Sequence, residues 1–325
     1  MFARYDKCLN SVDKIAVGIS ACLLGQKVRY DGGHKHDRFI TDTLGRFFSY
    51  VPVCPEVECG LPVPREAMHL TGDAGDRRLV TVQTGIDYTA RMQGWSREKL
   101  NELERSGLSG FIFKSKSPSS GLRGVKVYRG PGAPALSGTG LFAAAFIKKF
   151  PLTPVEDEVR LHDPGVRENF IERVFVYHKW QELVRNGCTA ADLIEFHTRH
   201  KYLIMAHSPT HLAALGKMVA NIGDKGAETV EIYCKVLMEA LRLTATAARN
   251  TNVLHHIMGY FKKQLDQLEK EELLEIIDQY RRGLIPLIVP VTLLNHYILK
   301  YDQPYLMKQY YLNPHPVELM LRNHV

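Results

Sequence analysis

The stretch IAVGISACLLGQKVRYDGG, residues 15–33, indicates the fold of the first half of the chain. Its first six residues alternate β-branched and small side chains, which predicts a buried strand. Cys22 follows at the point where this strand ends, and glycines then mark a loop. Because ligands bind at the carboxyl ends of strands in open α/β sheets, the pattern predicts that Cys22 lies at a binding site.

Two later segments repeat this pattern. The apolar run YVPV at 50–53 ends in Cys54, and GFIF at 110–113 leads into the loop KSKSPSSG at 114–121. The intervening segments have the apolar spacing of helices, at 38–50 and 88–106. Since strands that alternate with helices form parallel sheets, the sequence predicts an α/β domain with a mainly parallel, Rossmann-like sheet.

The remainder of the first half has weaker patterns. Predicted elements there are an edge strand at 79–82, a Gly- and Pro-rich surface loop at 124–140 and a short apolar helix at 141–149. Residues 150–156 are typical of a connection between domains, so we predict domains at 1–152 and 153–325. Residues 1–13 indicate an irregular lead-in, in which Cys8 is incidental.

The second half has an almost uninterrupted amphipathic helical pattern, which predicts an all-α domain. The predicted helices span 166–186, 189–205, 208–221, 226–249, 251–265, 270–282 and 290–300. Cys188 and Cys234 fall in these helical patterns, where a cysteine is most often a small core residue.

Composition and length favour a two-domain globular protein of 325 residues. No run of about 18 apolar residues is present, and the first residues lack the apolar core of a signal peptide. We therefore expect a cytoplasmic protein that does not bind a membrane. Six scattered cysteines do not make a disulfide scaffold in a chain of this size, and grouped cysteines in a reducing compartment more often bind metal or catalyse.

The charge of the chain is unevenly distributed. Residues 1–152 contain 22 Lys and Arg against 14 Asp and Glu, a net charge of +8, whereas residues 153–325 contain 20 against 21, a net charge of −1. A basic domain favours a polyanionic partner such as RNA, although many solvated surfaces carry a similar excess.

Four motifs resemble the thiouracil desulfidase family over roughly residues 14–150. They occur in the family's order and are SACLLG, VRYDGG, CPEVECGLPVPRE and KSKSPSSG. The family holds a 4Fe-4S cluster on three loop cysteines, which the resemblance assigns to Cys22, Cys54 and position 120. It also implies a catalytic pair, Glu56 and Ser117. An extended chain would point Glu56 to the same side as Cys54, where its carboxylate can move a proton.

The second half resembles the YbgA-like domain through FHTRHKYLIMAHSP at 196–209 and a long motif at 284–316. The fusion of the two domains is similar to that of desulfidases acting on 4-thiouridine in tRNA, which implies a possible RNA-binding role for the helical domain. Five tyrosines and two lysines could offer stacking surfaces for bases, although packing between helices is their commoner use. They are Tyr297, Tyr301, Tyr305, Tyr310, Tyr311, Lys300 and Lys308.

Ser120 departs from the family pattern, which has cysteine at this position. A serine hydroxyl is a poorer iron ligand because it resists ionisation at neutral pH. Three explanations remain open: an introduced substitution that weakens the cluster, divergence to a relative without a cluster, or ligation by Cys59 instead. Cys59 could reach a common cluster only if the loop after Cys54 curled back.

Three functional hypotheses follow. The first is an iron-sulfur desulfidase that converts 4-thiouridine in tRNA to uridine, with cluster binding impaired by Ser120. The second is a desulfidase of free thiouracil or thionucleosides. The third is a non-catalytic RNA-binding relative that has lost its cluster. The sequence does not indicate the oligomeric state.

Overall fold

Two units make up the chain, with the division between His162 and Asp163. The computed structural model describes residues 14–73, 75–129, 136–221 and 226–324. The lead-in predicted at 1–13, with Cys8, therefore lies outside the described residues.

Eight strands and three helices lie in the described part of the first unit. The strands are β1 (Ile15–Ser20), β2 (Phe48–Val53), β3 (Met68–Gly72), β4 (Arg77–Thr81), β5 (Gly110–Phe113), β6 (Val125–Tyr128), β7 (Leu136–Gly138) and β8 (Val155–Asp157). The helices are α1 (Pro55–Glu58), α2 (Thr89–Arg105) and α3 (Leu141–Lys149).

A four-stranded parallel sheet, in the order β2-β1-β5-β8, forms the centre of this unit. Ser20 at the end of β1 pairs with Val53 at the end of β2, and Ile19 pairs with Ile112 in β5. The loops after β1, β2 and β5 therefore leave the sheet at the same edge. The prediction of an α/β domain with a parallel sheet is confirmed.

An aromatic core holds α3 against this sheet. Phe111 and Phe113 lie two residues apart on β5 and therefore point to the same face of the sheet. Phe142 and Phe146 lie four residues apart on α3 and therefore lie on the same face of the helix. The ring centroids of Phe111 and Phe146 are 4.8 Å apart. A Cβ on Gly18 would lie 2.2 Å from the Phe111 ring, so β1 needs glycine where that ring crosses it.

A second, mixed sheet in the order β4-β3-β6-β7 was not predicted as a sheet. The edge strand predicted at 79–82 is confirmed as β4. The surface loop predicted at 124–140 is wrong in part, because β6 and β7 pair antiparallel within it. Val125 and Val127 are buried on one face of β6, an alternation that the surrounding glycines and prolines obscured. Residues 130–135 lie outside the described residues.

The helix predicted at 38–50 is wrong in part. Residues 39–43 form a π-helical turn, residues 44–46 form a 3-10 turn, and β2 begins at Phe48. The apolar residues at 47–50 belong to the strand, since Phe48 pairs with Ile15 in the parallel register of β1. Two irregular helical turns and the first residues of β2 thus replace the single helix that was expected.

Residues 150–156 are less of a connection than expected, because β8 pairs with β5 and completes the parallel sheet. Phe111 pairs with Val155 and Phe113 with Asp157. The expected domain boundary at residue 152 lies before this strand, whereas the division into units lies after it.

The second unit is helical in its described residues, as predicted. Its helices are α4 (Pro164–Arg185), α5 (Ala190–His207), α6 (Pro209–Ala220), α7 (Gly226–Arg242), α8 (Ala247–Met258), α9 (Gln267–Arg281), α10 (Ile288–Lys300) and α11 (Pro304–Met307). The single helix predicted at 226–249 is wrong at its end. The Thr246 hydroxyl accepts a hydrogen bond from the Arg249 amide at 3.3 Å and starts a new helix there. No helix in the described ranges is long and apolar enough to cross a membrane.

Gly140 packs closely against the loop that follows β5, so its replacement by alanine should destabilise the protein. A Cβ there would lie 2.5 Å from the carbonyl group of Ser119. We expect Gly140→Ala to lower the free energy of unfolding by about 1–3 kcal/mol, as other overpacked sites do. Urea unfolding followed by the fluorescence of Trp95, in a common Trp180→Phe background, measures the change.

The matched control is Gly94→Ala on α2, where the nearest atom to an added Cβ is 3.9 Å away. This substitution should raise the free energy of unfolding by about 0.5–1 kcal/mol, because alanine favours the helix. Equal effects at the two glycines would contradict the close packing of Gly140 on the loop.

Candidate functional site

Three loops meet in one cavity of about 450 Å³ at the carboxyl edge of the parallel sheet. The loop after β1 contributes Cys22, the loop after β2 contributes Cys54 and Glu56, and the loop after β5 contributes Ser117 and Ser120. The structure thus brings together all five residues that the sequence singled out. Parallel pairing of the strands is what makes these distant segments neighbours.

Two cysteines line this cavity, of which Cys22 is buried and Cys54 is half-buried. Cys22 lies in a 3-10 turn at residues 21–24, and burial raises the pKa of its thiol to about 11, against the opposing charge of Lys114. Burial also raises the pKa of the Cys54 thiol, whose Sγ lies 3.8 Å from the carbonyl oxygen of Val28. A negative charge on Cys54 would raise the pKa of Cys22 further, since both residues line this cavity.

Ser120 occupies the third position of this group. It is 4% exposed, and its backbone amide donates to the Ser117 Oγ at 3.1 Å. Within the described residues, no cluster of three or more His, Cys, Asp and Glu side chains could share a metal ion. The cavity therefore offers two thiols and one hydroxyl to an iron-sulfur cluster, a donor set that fits at two positions and is weak at the third.

Glu56 enters the cavity from a helical turn. The expected extended geometry is wrong, because Cys54 is followed by α1, with Pro55 at its first position. The Glu56 carboxylate forms an ion pair with Arg65, and its Oε1 accepts a hydrogen bond from the Ser119 Oγ at 2.9 Å. A buried carboxylate needs such partners, so this pair fixes where its oxygens lie.

Arg65 is held as firmly as the carboxylate that it contacts. Its side chain is 5% exposed and also donates to the carbonyl oxygens of Val28 at 3.1 Å and Pro62 at 3.3 Å. The structure places it in the wall of the cavity, behind Glu56.

The hydrogen bonds of Ser117 have a defined direction. Its Oγ accepts from the amides of Ser119 at 3.3 Å and Ser120 at 3.1 Å. The Ser119 hydroxyl gives its hydrogen to Glu56, so the Ser117 hydroxyl donates to the Ser119 Oγ, 3.0 Å away. A hydroxyl chain therefore runs from Ser117 through Ser119 to Glu56.

Sequence reasoning missed Ser119 and Glu158. Ser119 carried no signal beyond its place between Ser117 and Ser120. Glu158 lies just after β8, beyond the segment interpreted as a connection, and forms an ion pair with Lys114. It also accepts from the amide of Ser115 at 2.7 Å, which anchors the loop after β5. Recognition of 155–157 as a strand would have placed Glu158 at the same edge as Cys22.

Cys59 does not line this cavity. Its turn does curl back as the alternative required, but the Sγ donates to the Glu56 carbonyl oxygen at 3.2 Å and packs in the core beside Leu61 and Met92. The structure therefore gives no support to Cys59 as a third ligand. The remaining two cysteines among the described residues lie in the helical unit, where Cys234 is buried as expected and Cys188 lies in the loop before α5 rather than in a helix.

Only some residues of the loop from Arg29 to His36 line the cavity. Arg29 and Tyr30 line the cavity, and Arg29 forms an ion pair with Asp31 at 3.2 Å. His34, Lys35 and His36 are not among the lining residues. This segment therefore combines a part of the cavity wall with a salt-bridged turn.

The raised pKa values predict slow, pH-dependent alkylation of the two cavity thiols. Because iodoacetamide reacts with thiolate, the reaction of Cys22 should accelerate about tenfold per pH unit from pH 7 until it approaches its pKa of about 11. Peptide mass spectrometry of the metal-free chain measures the rates, with the more exposed Cys188 as the control. Cys22 reacting as fast as Cys188 at pH 7 would contradict the burial of its thiol.

Comparison with known proteins agrees with this architecture. The family model for 2-thiouracil desulfurase matches residues 17–158, and the model for DUF1722, described as a protein of unknown function, matches residues 201–316. The chain is 33% identical over 153 residues to the uncharacterized protein YbgA of Escherichia coli (strain K12), covering 46% of this chain and 90% of YbgA. It is also 33% identical to the solved [4Fe-4S]-dependent thiouracil desulfidase TudS, covering 47% of this chain and 95% of that one with a TM-score of 0.37. The chain therefore joins a 2-thiouracil desulfurase domain to a DUF1722 domain and belongs to the family of YbgA.

Proposed function

We propose that the first unit removes the sulfur of a thiocarbonyl group from a thiopyrimidine, and that its substrate is 4-thiouridine carried in tRNA. The observation that carries the proposal is the cavity at the sheet edge. Two thiols and a hydroxyl lie there beside the chain Ser117–Ser119–Glu56. Membership of the desulfurase family supports the same chemistry.

A 4Fe-4S cluster is the cofactor that this donor set would hold, with Cys22, Cys54 and the weaker Ser120 as its protein ligands. When bound, such a cluster supplies an iron without a protein ligand, a soft Lewis acid for a thiocarbonyl sulfur. Both thiols carry protons at neutral pH because burial raises the pKa of each. Binding of iron must displace these protons, which makes cluster uptake more favourable at higher pH.

The reaction is a hydrolysis that exchanges sulfur for oxygen. Water adds its oxygen to the ring carbon, the C=S bond is replaced by C=O, and sulfur leaves with the two protons of water as hydrogen sulfide, without net oxidation or reduction. Glu56 is the base that takes a proton from water, and Ser117 is the hydroxyl that orients water or the ring. Ser119 connects the two, so a proton can pass between them along existing hydrogen bonds.

The choice of tRNA over a free base depends on charge and on domain fusion. Residues 1–152 have a net charge of +8, and Lys116 lines the cavity beside the ion pairs of Arg29 with Asp31 and of Lys114 with Glu158. A polyanionic substrate suits such a wall. Competition between 4-thiouridine-containing tRNA and free thiouracil would distinguish this substrate from the alternative, because tRNA should be desulfurised at the lower concentration.

A second candidate function is favoured by one observation, the hydroxyl at position 120. A chain with two thiols would hold a cluster poorly and could retain RNA binding without catalysis. The loop around Ser120 is otherwise fully formed, with its amide bonded to Ser117. The first experiment below separates this candidate from the desulfidase.

Restoring cysteine at position 120 should complete the ligand set. After anaerobic reconstitution, we expect Ser120→Cys to hold about four irons and four acid-labile sulfides per chain, and the parent chain to hold less and lose it faster. The physical reason is that a thiolate binds iron more strongly than a hydroxyl at neutral pH. Iron and sulfide analysis measures the content, and release of sulfide from 4-thiouridine in tRNA measures activity.

The matched control is Ser120→Ala, which removes the hydroxyl and should hold no more iron than the parent. A full and active cluster in the parent chain would mean that Ser120 is a competent ligand. A full cluster in Ser120→Cys without desulfurisation of tRNA or thiouracil would overturn the proposed activity.

Removal of the Ser119 hydroxyl should interrupt proton transfer while leaving the cluster in place. We expect Ser119→Ala to lower kcat about 10²-fold with little change in KM, because general acid–base catalysis contributes about 10²–10⁴-fold and Ser119 acts through Glu56. Ser119→Thr keeps a hydroxyl and should retain most of the activity. Iron content is measured in each variant, so that a loss of cluster is not mistaken for a loss of catalysis.

Glu56→Gln is the reference for this series, since it removes the base itself. Ser119→Ala added to Glu56→Gln should cause little further loss, because both changes interrupt one path. Independent, multiplicative losses would show that Ser119 and Glu56 do not act together.

A further inference from the structure

Four cationic side chains among the described residues line the cavity of the first unit, and three of them are paired with carboxylates. The ion pairs are Arg29 with Asp31, Arg65 with Glu56 and Lys114 with Glu158. The fourth cation is Lys116, which has no carboxylate at ion-pair distance in the part of the chain that the structure describes. Of the four positive charges, that of Lys116 is therefore the one available to a ligand of the cavity.

The backbone of Lys116 has a conformation that lysine rarely adopts. Its φ is +58°, in the left-handed region that favours glycine and asparagine. The turn before it is fixed by Glu158, whose carboxylate accepts from the Ser115 amide at 2.7 Å and from the Ser115 hydroxyl at 2.8 Å. The turn after it is fixed by the Ser117 Oγ, which accepts from the Ser120 amide at 3.1 Å. A lysine held at such a position indicates a use for its side chain.

Lys116 lies at the opening of the cavity. Of the described residues that line this cavity, only Tyr30 and Lys116 are exposed, whereas Cys22 and Ser120 are buried. A ligand whose reacting atom lies beside the buried residues therefore extends toward Tyr30 and Lys116 as it approaches solvent.

Tyr30 gives the opening an aromatic side. The residue is 45% exposed, and the guanidinium carbon of Arg29 lies 5.7 Å from the centre of its ring. Its carbonyl oxygen accepts a hydrogen bond from the Arg65 amide at 2.8 Å, which ties this loop to the cavity wall. An aromatic ring and an available cation at one opening suit a ligand that combines an apolar body with an anionic group.

The proposed substrate has this shape when it carries a phosphate. In a 4-thiopyrimidine, the sulfur on C4 and the substituent on N1 lie across the six-membered ring from each other. When the sulfur lies beside Cys22 and Ser120, the substituent on N1 therefore points toward the opening. In a nucleotide this substituent is a ribose that carries phosphate, whereas a free base has only a hydrogen there.

We propose that Lys116 binds the phosphate group of the reacting nucleotide and makes the first unit selective for a thiopyrimidine nucleotide over the nucleoside or the free base. Its ammonium group donates a charge-assisted hydrogen bond to a phosphate oxygen, and the Tyr30 ring lies against the ribose. This inference rests on the proposed function and names the part of the substrate, besides the thiocarbonyl group, that the first unit recognises. The phosphate is the same group in a free nucleotide and in an RNA chain.

Equilibrium binding to the full chain, before and after anaerobic reconstitution, tests the role of Lys116. The probes are uridine, uridine 5′-monophosphate, uridine 3′-monophosphate and inorganic phosphate, each titrated by isothermal calorimetry. We expect at least one of the two nucleotides to bind about tenfold or more tightly than uridine and than inorganic phosphate. The isomer that binds more tightly identifies which phosphate Lys116 contacts.

Three variants separate the charge of Lys116 from its backbone conformation. Lys116→Asn removes the cation but suits the left-handed backbone, so it should reduce the preference for the nucleotide over uridine to less than about twofold. Lys116→Arg keeps a cation and should retain most of the preference. Lys126→Gln removes an exposed lysine on β6 that does not line the cavity, and it should leave the preference unchanged.

Kinetics in the reconstituted Ser120→Cys chain shows whether the contact operates during the reaction. The substrates are 4-thiouridine, its 5′- and 3′-monophosphates, and a trinucleotide with 4-thiouridine at its centre. We expect added Lys116→Asn to raise KM about tenfold for the phosphate-bearing substrates, with little change in kcat, because the phosphate takes no part in the bond changes. The KM for 4-thiouridine should not change. A larger effect with the trinucleotide assigns the contact to an RNA chain, and a larger effect with a monophosphate assigns it to a free nucleotide.

Nucleotides that bind no more tightly than uridine, or a preference that survives Lys116→Asn, would overturn the assignment. Inorganic phosphate that binds as tightly as the nucleotides would reduce the site to a general anion site and overturn it as well. A Lys116-dependent preference in a chain that desulfurises nothing refutes the proposed function alone. An active desulfidase in which Lys116→Asn affects the nucleoside and the nucleotides equally refutes the role of Lys116 alone.

Discussion

Parallel pairing of β1 with both β2 and β5 is the constraint on which the first unit depends. In this register Ser20 and Val53 end their strands side by side, so Cys22 and Cys54 leave the sheet as neighbours. A slip of one residue would turn the side chains of β1 to the opposite face. Gly18 helps to prevent such a slip, because only glycine fits beneath the Phe111 ring. The geometry of the cavity is therefore set by the sheet core, not by the loops themselves.

Within that frame, the carboxylate of Glu56 determines how the loops close on each other. A buried carboxylate without partners is strongly unfavourable, and here Arg65 and Ser119 supply them from two different segments. The contacts that offset the burial of Glu56 thus also tie the loop after β2 to the loop after β5. Structural and chemical roles coincide in these side chains, since the hydrogen bond that joins the loops is also a path for a proton.

The sequence predicted the features that local patterns encode. The alternation of β-branched and small residues predicted β1. The loops that follow the strands contain cysteine or serine, and they predicted that Cys22, Cys54 and the segment around Ser117 form the site. It did not predict Ser119 or Glu158, because their roles depend on contacts with residues far away along the chain. The mixed sheet was missed for the same reason, since β6 has few residues and is stabilised by pairing with β3 and β7. The amphipathic pattern of the second unit was interpreted correctly as helices. The start of a new helix at Thr246 was missed, because it depends on a cap that apolar spacing does not reveal.

The side chain at position 120 matters for the chemistry of the cavity rather than for the fold of the chain. The amide of Ser120 is bonded to Ser117, and the side chain is buried among the loops that the sheet brings together. A thiol at this position would need no rearrangement of the backbone, since sulfur replaces a single oxygen. The neighbouring chain of hydroxyls and the ion pair of Glu56 with Arg65 are formed without it. Apolar residues of similar size could fill this space at little cost, so folding does not require polar groups here. The network instead supplies hydrogen-bonding groups to a polar ligand of the cavity, and the residue at position 120 determines how strongly the third ligand position would bind iron.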